Sequence, residues 1–215
     1  MEKEFNHKLI IESGLIAIVR FDSSNDLVEV AKALVSGGVK VMEFTFTTPN
    51  AIDVLKKSKD LLGNQVLIGA GTVLNSETAR AAILAGADFI VSPIYEPGII
   101  NLCRRYSKIS MPGVFTPTEI VKAWQDGADF VKVFPSNFGG PDYIKALKAP
   151  LPNVAMVPVG GVNLENIPDY FSVGASAVAV GSNLVRKDYV LEKKFNKITE
   201  LASQYIDTIK QSRKK

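Results

Sequence analysis

The chain has 215 residues, 47% hydrophobic and 22% charged, and its 25 Lys and Arg against 22 Asp and Glu leave a formal charge of +3. This fits one domain spanning residues 1–215 with a full core, and it excludes a disordered chain, which would be less hydrophobic and more highly charged. Cys103 has no partner for an internal disulfide, the lone His7 excludes a Ser-His-Asp triad and multi-histidine metal sites, and a dispersed +3 does not make the clustered basic face that nucleic acid calls for.

Residues 2–13 read as an extra helix before the first strand. They mix charged and apolar residues without the apolar stretch or small-residue cleavage site of a signal peptide. Short β-rich runs follow at 15–20, 39–47, 66–71, 89–92, 111–114, 130–134, 155–159 and 177–180. Amphipathic stretches separate them, such as 25–35, where Leu27, Val30, Ala31 and Leu34 share one face. Ser76-Glu77, Thr118-Glu119 and Asn163-Leu164-Glu165 look like helix starts. A long last helix is expected over 190–209, and the basic tail 210–215 reads as a solvated terminus. No apolar run approaches the roughly 20 residues that span a bilayer, so no membrane partner is expected and the location expected is cytoplasmic.

Gly38, Gly86, Gly127 and Gly174 each sit just before a strand and recur every 40 to 50 residues, with two βα units per period. They fit helix C-caps, where a left-handed residue is wanted. Eight strand–helix units in sequence predict an α/β fold, a closed all-parallel (β/α)8 TIM barrel with short loops. An open doubly wound sheet is the alternative, although eight such regular units are rare in one.

Barrel active sites form at the C-terminal strand ends, so chemistry is sought there. In 128–134 (ADFVKVF), alternation puts Phe130, Lys132 and Phe134 on one face and Val131 and Val133 on the other. If the valines meet the helices, Lys132 points inward. Burial then lowers its pKa and makes a nucleophilic amine; otherwise the lysine snorkels out or pairs with a carboxylate. In 39–47, Met42, Phe44 and Phe46 share one face, which sends Glu43 inward with Thr45. A buried carboxylate needs a partner, and Lys132 and Arg20 are the candidates. Inward Glu, Lys and Arg from three strands point to catalysis. Gly160-Gly161 and Gly181-Ser182 follow the last two strands, where barrel phosphate sites form from backbone N–H groups. Thr72 closes a third polar turn, Gly69-Ala70-Gly71-Thr72, which is not a dinucleotide fingerprint.

Nine segments taken in order carry a resemblance: IAIVR at 16–20, EFTFTTP at 43–49, IGAGTV at 68–73, IVSP at 90–93, MPGVFTPTE at 111–119, FVKVFPS at 130–136, GPDYIKALKAPLPNV at 140–154, PVGGVNLEN at 158–166 and VAVGSNLV at 178–185. The chain resembles the bacterial 2-keto-3-deoxy-6-phosphogluconate aldolases, which also cleave 4-hydroxy-2-oxoglutarate. These are class I, Schiff-base enzymes on a small barrel. The resemblance implies Lys132 as the Schiff-base lysine and Glu43 as the general acid/base. It implies Thr72, Pro93 and Phe134 around the pyruvyl group, Arg20 on the substrate carboxylate, and Gly160, Gly161, Gly181 and Ser182 as the phosphate cradle. It further implies a phosphorylated keto-acid substrate, no metal and no cofactor, and a homotrimer, to which Ile94 and Tyr95 could contribute. Some members carry arginine where Thr47 stands. Many that use the gluconate substrate carry threonine where this chain has Val159, and valine there resembles the galactonate-type relatives. Two other readings remain at this stage: a phosphate-binding isomerase or epimerase barrel, and a non-catalytic phosphosugar-binding module.

Overall fold

The computed structural model describes residues 2–214; Met1 and Lys215, the last residue of the basic tail, lie outside them. The elements run α1 (Glu2–Ser13), β1 (Leu15–Val19), α2 (Leu27–Ser36), β2 (Val41–Thr45), α3 (Ala51–Leu62), β3 (Leu67–Gly71), α4 (Ser76–Leu84), β4 (Phe89–Val91), α5 (Pro97–Arg105), β5 (Ile109–Met111) and β6 (Gly113–Val114). There follow α6 (Pro117–Gln125), β7 (Val131–Val133), α7 (Gly140–Lys148), β8 (Met156–Pro158), α8 (Ile167–Ser172), β9 (Val178–Val180), α9 (Lys187–Leu191) and α10 (Phe195–Ser212).

All strand pairings are parallel, in a curled α/β arrangement. One sheet has the order β5-β4-β3-β2-β1-β9 and the other β6-β7-β8. The eight uninterrupted strands expected are therefore not observed. The fifth is cut at Pro112, which has no N–H to give to a ladder, so β5 pairs with β4 while β6 pairs with β7. The edge of the second sheet meets β9 through one parallel bridge, Val159 to Ala179.

Two apolar layers lie on the two faces of the strands. Alternation decides which residue enters which, because successive side chains point to opposite faces. Val19, Met42, Phe44, Val131 and Val133 join the outer layer, with Leu27, Val30, Ala31 and Leu34 of α2. Ile16, Ile18, Val41, Phe89, Phe130 and Val157 form the inner one. The expected N-terminal helix is α1; its Ile10 joins the inner cluster and His7 stacks on Phe130 at 4.5 Å.

The recurrent glycines do the work expected of them. Gly38, Gly86, Gly127 and Gly174 have φ of 94°, 104°, 90° and 92°. At each, the next residue's N–H reaches back to a carbonyl five residues earlier, as in Val39 to Leu34 and Ala128 to Ala123, both 3.0 Å. This Schellman closure ends the helix and aims the chain into the next strand. The same closure with Lys193 at φ 54° splits the expected last helix into α9 and α10.

The helix starts expected at Ser76-Glu77 and Thr118-Glu119 are observed, with Glu77 and Glu119 in the first turns of α4 and α6; the caps themselves are Asn75 and Thr116, and Thr116 forms a capping box with Glu119. Two local expectations are corrected. Asn163 does not open α8 but folds a turn ahead of it, accepting from the N–H groups of Glu165 and Asn166. The basic tail is not simply solvated. Residues 210–212 complete α10, and Arg213 donates to the carbonyls of Glu12 and Ser176, both at 2.9 Å, and stacks on Phe171.

Candidate active site

Each proposed residue lies at the middle of a strand or just beyond its C-terminal end, so the parallel arrangement gathers them toward that end. Glu43 is the middle residue of β2 and 2% exposed; Lys132 is the middle residue of β7 and 3% exposed. A glycine lies beside each of them. A Cβ on Gly71 would lie 2.5 Å from Glu43 Oε1, so the carboxylate rests directly over that glycine. Gly113 pairs with Lys132 in register, and a Cβ there would meet the Pro93 main chain at 2.2 Å. Glycine is thus required for the Pro93 loop to approach β6.

Burial dominates the electrostatics of the pair. It pushes the Glu43 carboxyl above its ordinary 4.5, against the pull of Lys132 and then Arg20. It lowers the Lys132 ammonium below its ordinary 10.5; Glu43 opposes this and Arg20 adds to it. Among the described residues neither a hydrogen bond nor a contact ion pair joins the two. Lys132 Nζ lies 4.8 Å from the centre of the Phe134 ring. Arg20 Nη2 donates to Thr72 Oγ1 at 3.5 Å. Thr72 itself has φ 59°, an outlier for a β-branched residue and a site of stored backbone strain. Thr45, on the face of Glu43, shares its hydroxyl with Thr47 at 3.2 Å.

A cavity of about 240 Å3 adjoins the lysine. Arg20, Lys132, Phe134, Val159, Gly160, Gly161, Gly181 and Ser182 line it, so eight of the expected site residues meet around one space. Glu43, Thr72 and Pro93 do not line it. Thr72 is tied in through Arg20, and Pro93 touches Gly113 beside the lysine. A larger cleft of about 850 Å3, lined by Asp169, Phe171, Thr208 and Arg213 among others, contains none of the candidate residues.

The two glycine loops present polar backbone to the cavity. Gly160 and Gly161 have φ of 104° and 73°, which other residues rarely adopt. Among the described residues, the N–H groups of Gly161, Val162 and Ser182 have no acceptor. Such a concavity of free N–H groups suits an anion. Sequence reasoning missed Ile18, Val162, Ala179, Asn183 and Val185, which complete the lining. Asn183 follows Gly181-Ser182 directly, and an amide beside a glycine turn was the available signal.

The family model for KDPG and KHG aldolase matches residues 7–201. The 2-dehydro-3-deoxy-phosphogluconate aldolase of Treponema pallidum is 34% identical over 91% of this chain and 93% of its own length. The 2-dehydro-3-deoxy-6-phosphogalactonate aldolase of Escherichia coli is 33% identical over 91% of this chain and 96% of its own. The solved KDPG aldolase from Legionella pneumophila, with pyruvate captured at low pH as a covalent carbinolamine intermediate, superposes with a TM-score of 0.85. It is 29% identical and covers 92% of this chain and 96% of that one. With a match that spans nearly all of the sequence and a site assembled where such a barrel would place it, the chain belongs to the KDPG and KHG aldolase family.

Proposed function

We propose that this chain is a class I aldolase that cleaves 2-keto-3-deoxy-6-phosphogluconate or its galactonate epimer, and 4-hydroxy-2-oxoglutarate. The products are pyruvate with glyceraldehyde 3-phosphate or glyoxylate, and the reaction is reversible. The observation that carries this reading is Lys132, buried beside Glu43 and opening onto a cavity rimmed by anion-ready loops. The relatives named above support it.

In this reading the neutral Lys132 amine attacks the C2 ketone, and loss of water leaves an iminium ion. Glu43 takes the proton of the C4 hydroxyl through a bound water. The C3–C4 bonding pair moves into the iminium, giving an enamine and releasing the aldehyde. Glu43 then returns its proton to C3, and hydrolysis frees pyruvate and the amine. Arg20 holds the substrate carboxylate, while Thr72, Pro93 and Phe134 wall the pyruvyl group. Gly160, Gly161, Gly181 and Ser182 receive the phosphate, and Val159 faces the substrate from the cavity wall.

Pyruvate with borohydride tests this. A stable adduct mass on the Lys132 peptide is expected, absent from Lys132→Met, which folds normally and does not cleave substrate. Lack of adduct under conditions that label another class I aldolase would reject the proposal.

We infer further that the two sheets are one closed eight-stranded (β/α)8 barrel, with β5 and β6 as halves of one strand, and that residues 1–215 are one aldolase domain. The Pro112 junction and the Val159–Ala179 bridge support closure. A homotrimer is proposed from the family resemblance. Ile94, Phe115, Trp124 and Phe138 are exposed apolar side chains that suit an interface, whereas Tyr95 turns its hydroxyl to Asp126 of its own chain. Light scattering at micromolar concentration should give three times the chain mass, and a monomer mass counts against it. No described helix is long and apolar enough to cross a membrane. A cytoplasmic location is proposed because a phosphorylated keto acid does not cross a bilayer unaided; recovery of activity outside the cytoplasmic fraction would contradict it.

A further inference from the structure

The free N–H groups of the first glycine loop have a cause in the donors that engage its carbonyls. Val159 O accepts from the Ser136 N–H at 2.8 Å, and Gly160 O from Ser136 Oγ at 2.8 Å. Gly161 O accepts from Asn166 Nδ2 at 2.9 Å, and Val162 O from Asn183 Nδ2 at 2.8 Å. Four successive carbonyls are thus engaged. In a planar trans peptide the C=O and the following N–H point in opposite directions. Fixing Gly160 O therefore fixes the Gly161 N–H, and fixing Gly161 O fixes the Val162 N–H. Both of those N–H groups are unpaired among the described residues.

We propose that Ser136, Asn166 and Asn183 are positioning residues that give this enzyme its preference for phosphorylated over unphosphorylated substrates. The inference rests on the aldolase reading above and goes beyond it by assigning the source of that preference. Glycines at positive φ could turn these peptides either way. Unclamped, the loop would present carbonyls as readily as N–H groups, and a carbonyl repels a phosphate. Asn183 adds a second constraint, because it comes from the loop after β9 and ties that loop to the one after β8. Ser136 adds a third. It lies four residues beyond Lys132 on the same segment, so the strand that carries the nucleophile also sets the cradle. Its only proton goes to a carbonyl, which can only accept, so the Tyr170 hydroxyl at 3.2 Å must donate to Ser136 Oγ. Ser136 and Tyr170 are both essentially fully buried, which holds the clamp rigid.

The test compares Ser136→Ala and Asn183→Ala, singly and together, with the parent enzyme on 2-keto-3-deoxy-6-phosphogluconate and on 4-hydroxy-2-oxoglutarate. Loss of one oriented hydrogen bond to the anion corresponds to roughly a three- to tenfold change. KM for the phosphorylated substrate should rise by that factor per substitution, with kcat and the pyruvate–borohydride trapping rate held. The ratio of kcat/KM between the two substrates should fall equally. Inorganic phosphate, used as a competitive inhibitor, should weaken in step. A parallel loss on both substrates, or an unchanged ratio, overturns the proposal. Should buried Ser136→Ala fail to fold, Asn183→Ala, on an exposed loop, decides alone. If the parent enzyme cleaves neither substrate, the aldolase reading has failed. Calorimetric binding of inorganic phosphate to parent and variants then still decides whether the clamps position an anion site.

Discussion

Gly71→Ala offers a sharp test of the catalytic assignment, because it touches Glu43 and leaves Lys132 alone. A Cβ at position 71 would meet Glu43 Oε1 at 2.5 Å, Cδ at 2.7 Å and Oε2 at 3.2 Å. Ordinary contact begins at 3.4 Å, so the carboxylate must retreat by about 0.9 Å. The backbone itself imposes no objection, since Gly71 is not among the residues at positive φ. A displacement of about 1 Å from a reacting geometry costs on the order of 10²-fold in rate, or about 2.7 kcal/mol at about 1.4 per decade. We expect kcat/KM for cleavage to fall about a hundredfold. Pyruvate–borohydride trapping should persist, because imine formation at Lys132 does not need the C4 proton to move. Stability should change little, since alanine restricts the unfolded chain by about 0.4–1 kcal/mol and offsets part of the crowding. The assays are steady-state release of pyruvate, adduct mass and a denaturant midpoint. Wild-type turnover would show that the position of Glu43 is irrelevant to the reaction. Equal loss of trapping and turnover would show that the damage is not confined to the acid/base.

Glu43→Gln should lower turnover by about 10²–10⁴, measured as kcat on either substrate; unchanged kcat makes Glu43 only a counter-ion for Lys132. The rate of borohydride trapping should rise with pH as the neutral amine accumulates. Burial disfavours the ammonium, so the rise should come at lower pH than the ordinary lysine value of 10.5, and a midpoint at or above 10.5 contradicts this. In Glu43→Gln that rise should move lower again, because the carboxylate's attraction for the ammonium is gone; an upward move is inconsistent with the pair as described. Val159→Thr should shift preference toward the gluconate epimer by about 0.5–1.5 kcal/mol, the net worth of one hydrogen bond, and an unchanged epimer ratio of kcat/KM means that residue 159 does not read C4.

The buried Glu43 and Lys132 were legible because a charge inside an apolar strand violates the pattern around it, and period two then fixes which way it points. Lys132 between Val131 and Val133, and Glu43 between Met42 and Phe44, both follow that rule. The glycines before the strands were legible because a left-handed helix end selects for a missing Cβ. Where another residue takes that conformation, the signal disappears. Ser107 at φ 53° ends α5 and Lys193 at φ 54° ends α9, and neither announces itself in the sequence. The break at Pro112 was available in the sequence, yet the apolar run on either side reads as one strand. Arg213 shows the opposite failure. A basic tail has the composition of a solvated end, and only the arrival of α1 and of the turn before β9 beside it supplies carbonyls for the guanidinium. The carbonyl clamps were hidden for the same reason, since Ser136 and Gly160 meet only after β7 and β8 have paired.

This dependence on assembly also explains why the lysine is buried. Phe130 precedes Lys132 by two residues, so both side chains point into the interior, one below the other. Beneath Phe130 lies α1, whose His7 stacks on the ring and whose Ile10 completes the apolar cluster with Ile16, Val41, Phe89 and Ile109. Together the His7 ring and the Ile10 side chain help to fill the interior beneath Lys132. Burial is the leading cause of the lowered Lys132 pKa, and the inner cluster around Phe130 draws residues from α1 and from strands on both sheets. The strands supply the direction in which Lys132 points, α1 packs against the inner cluster at Phe130, and the glycine loops line the cavity onto which Lys132 opens.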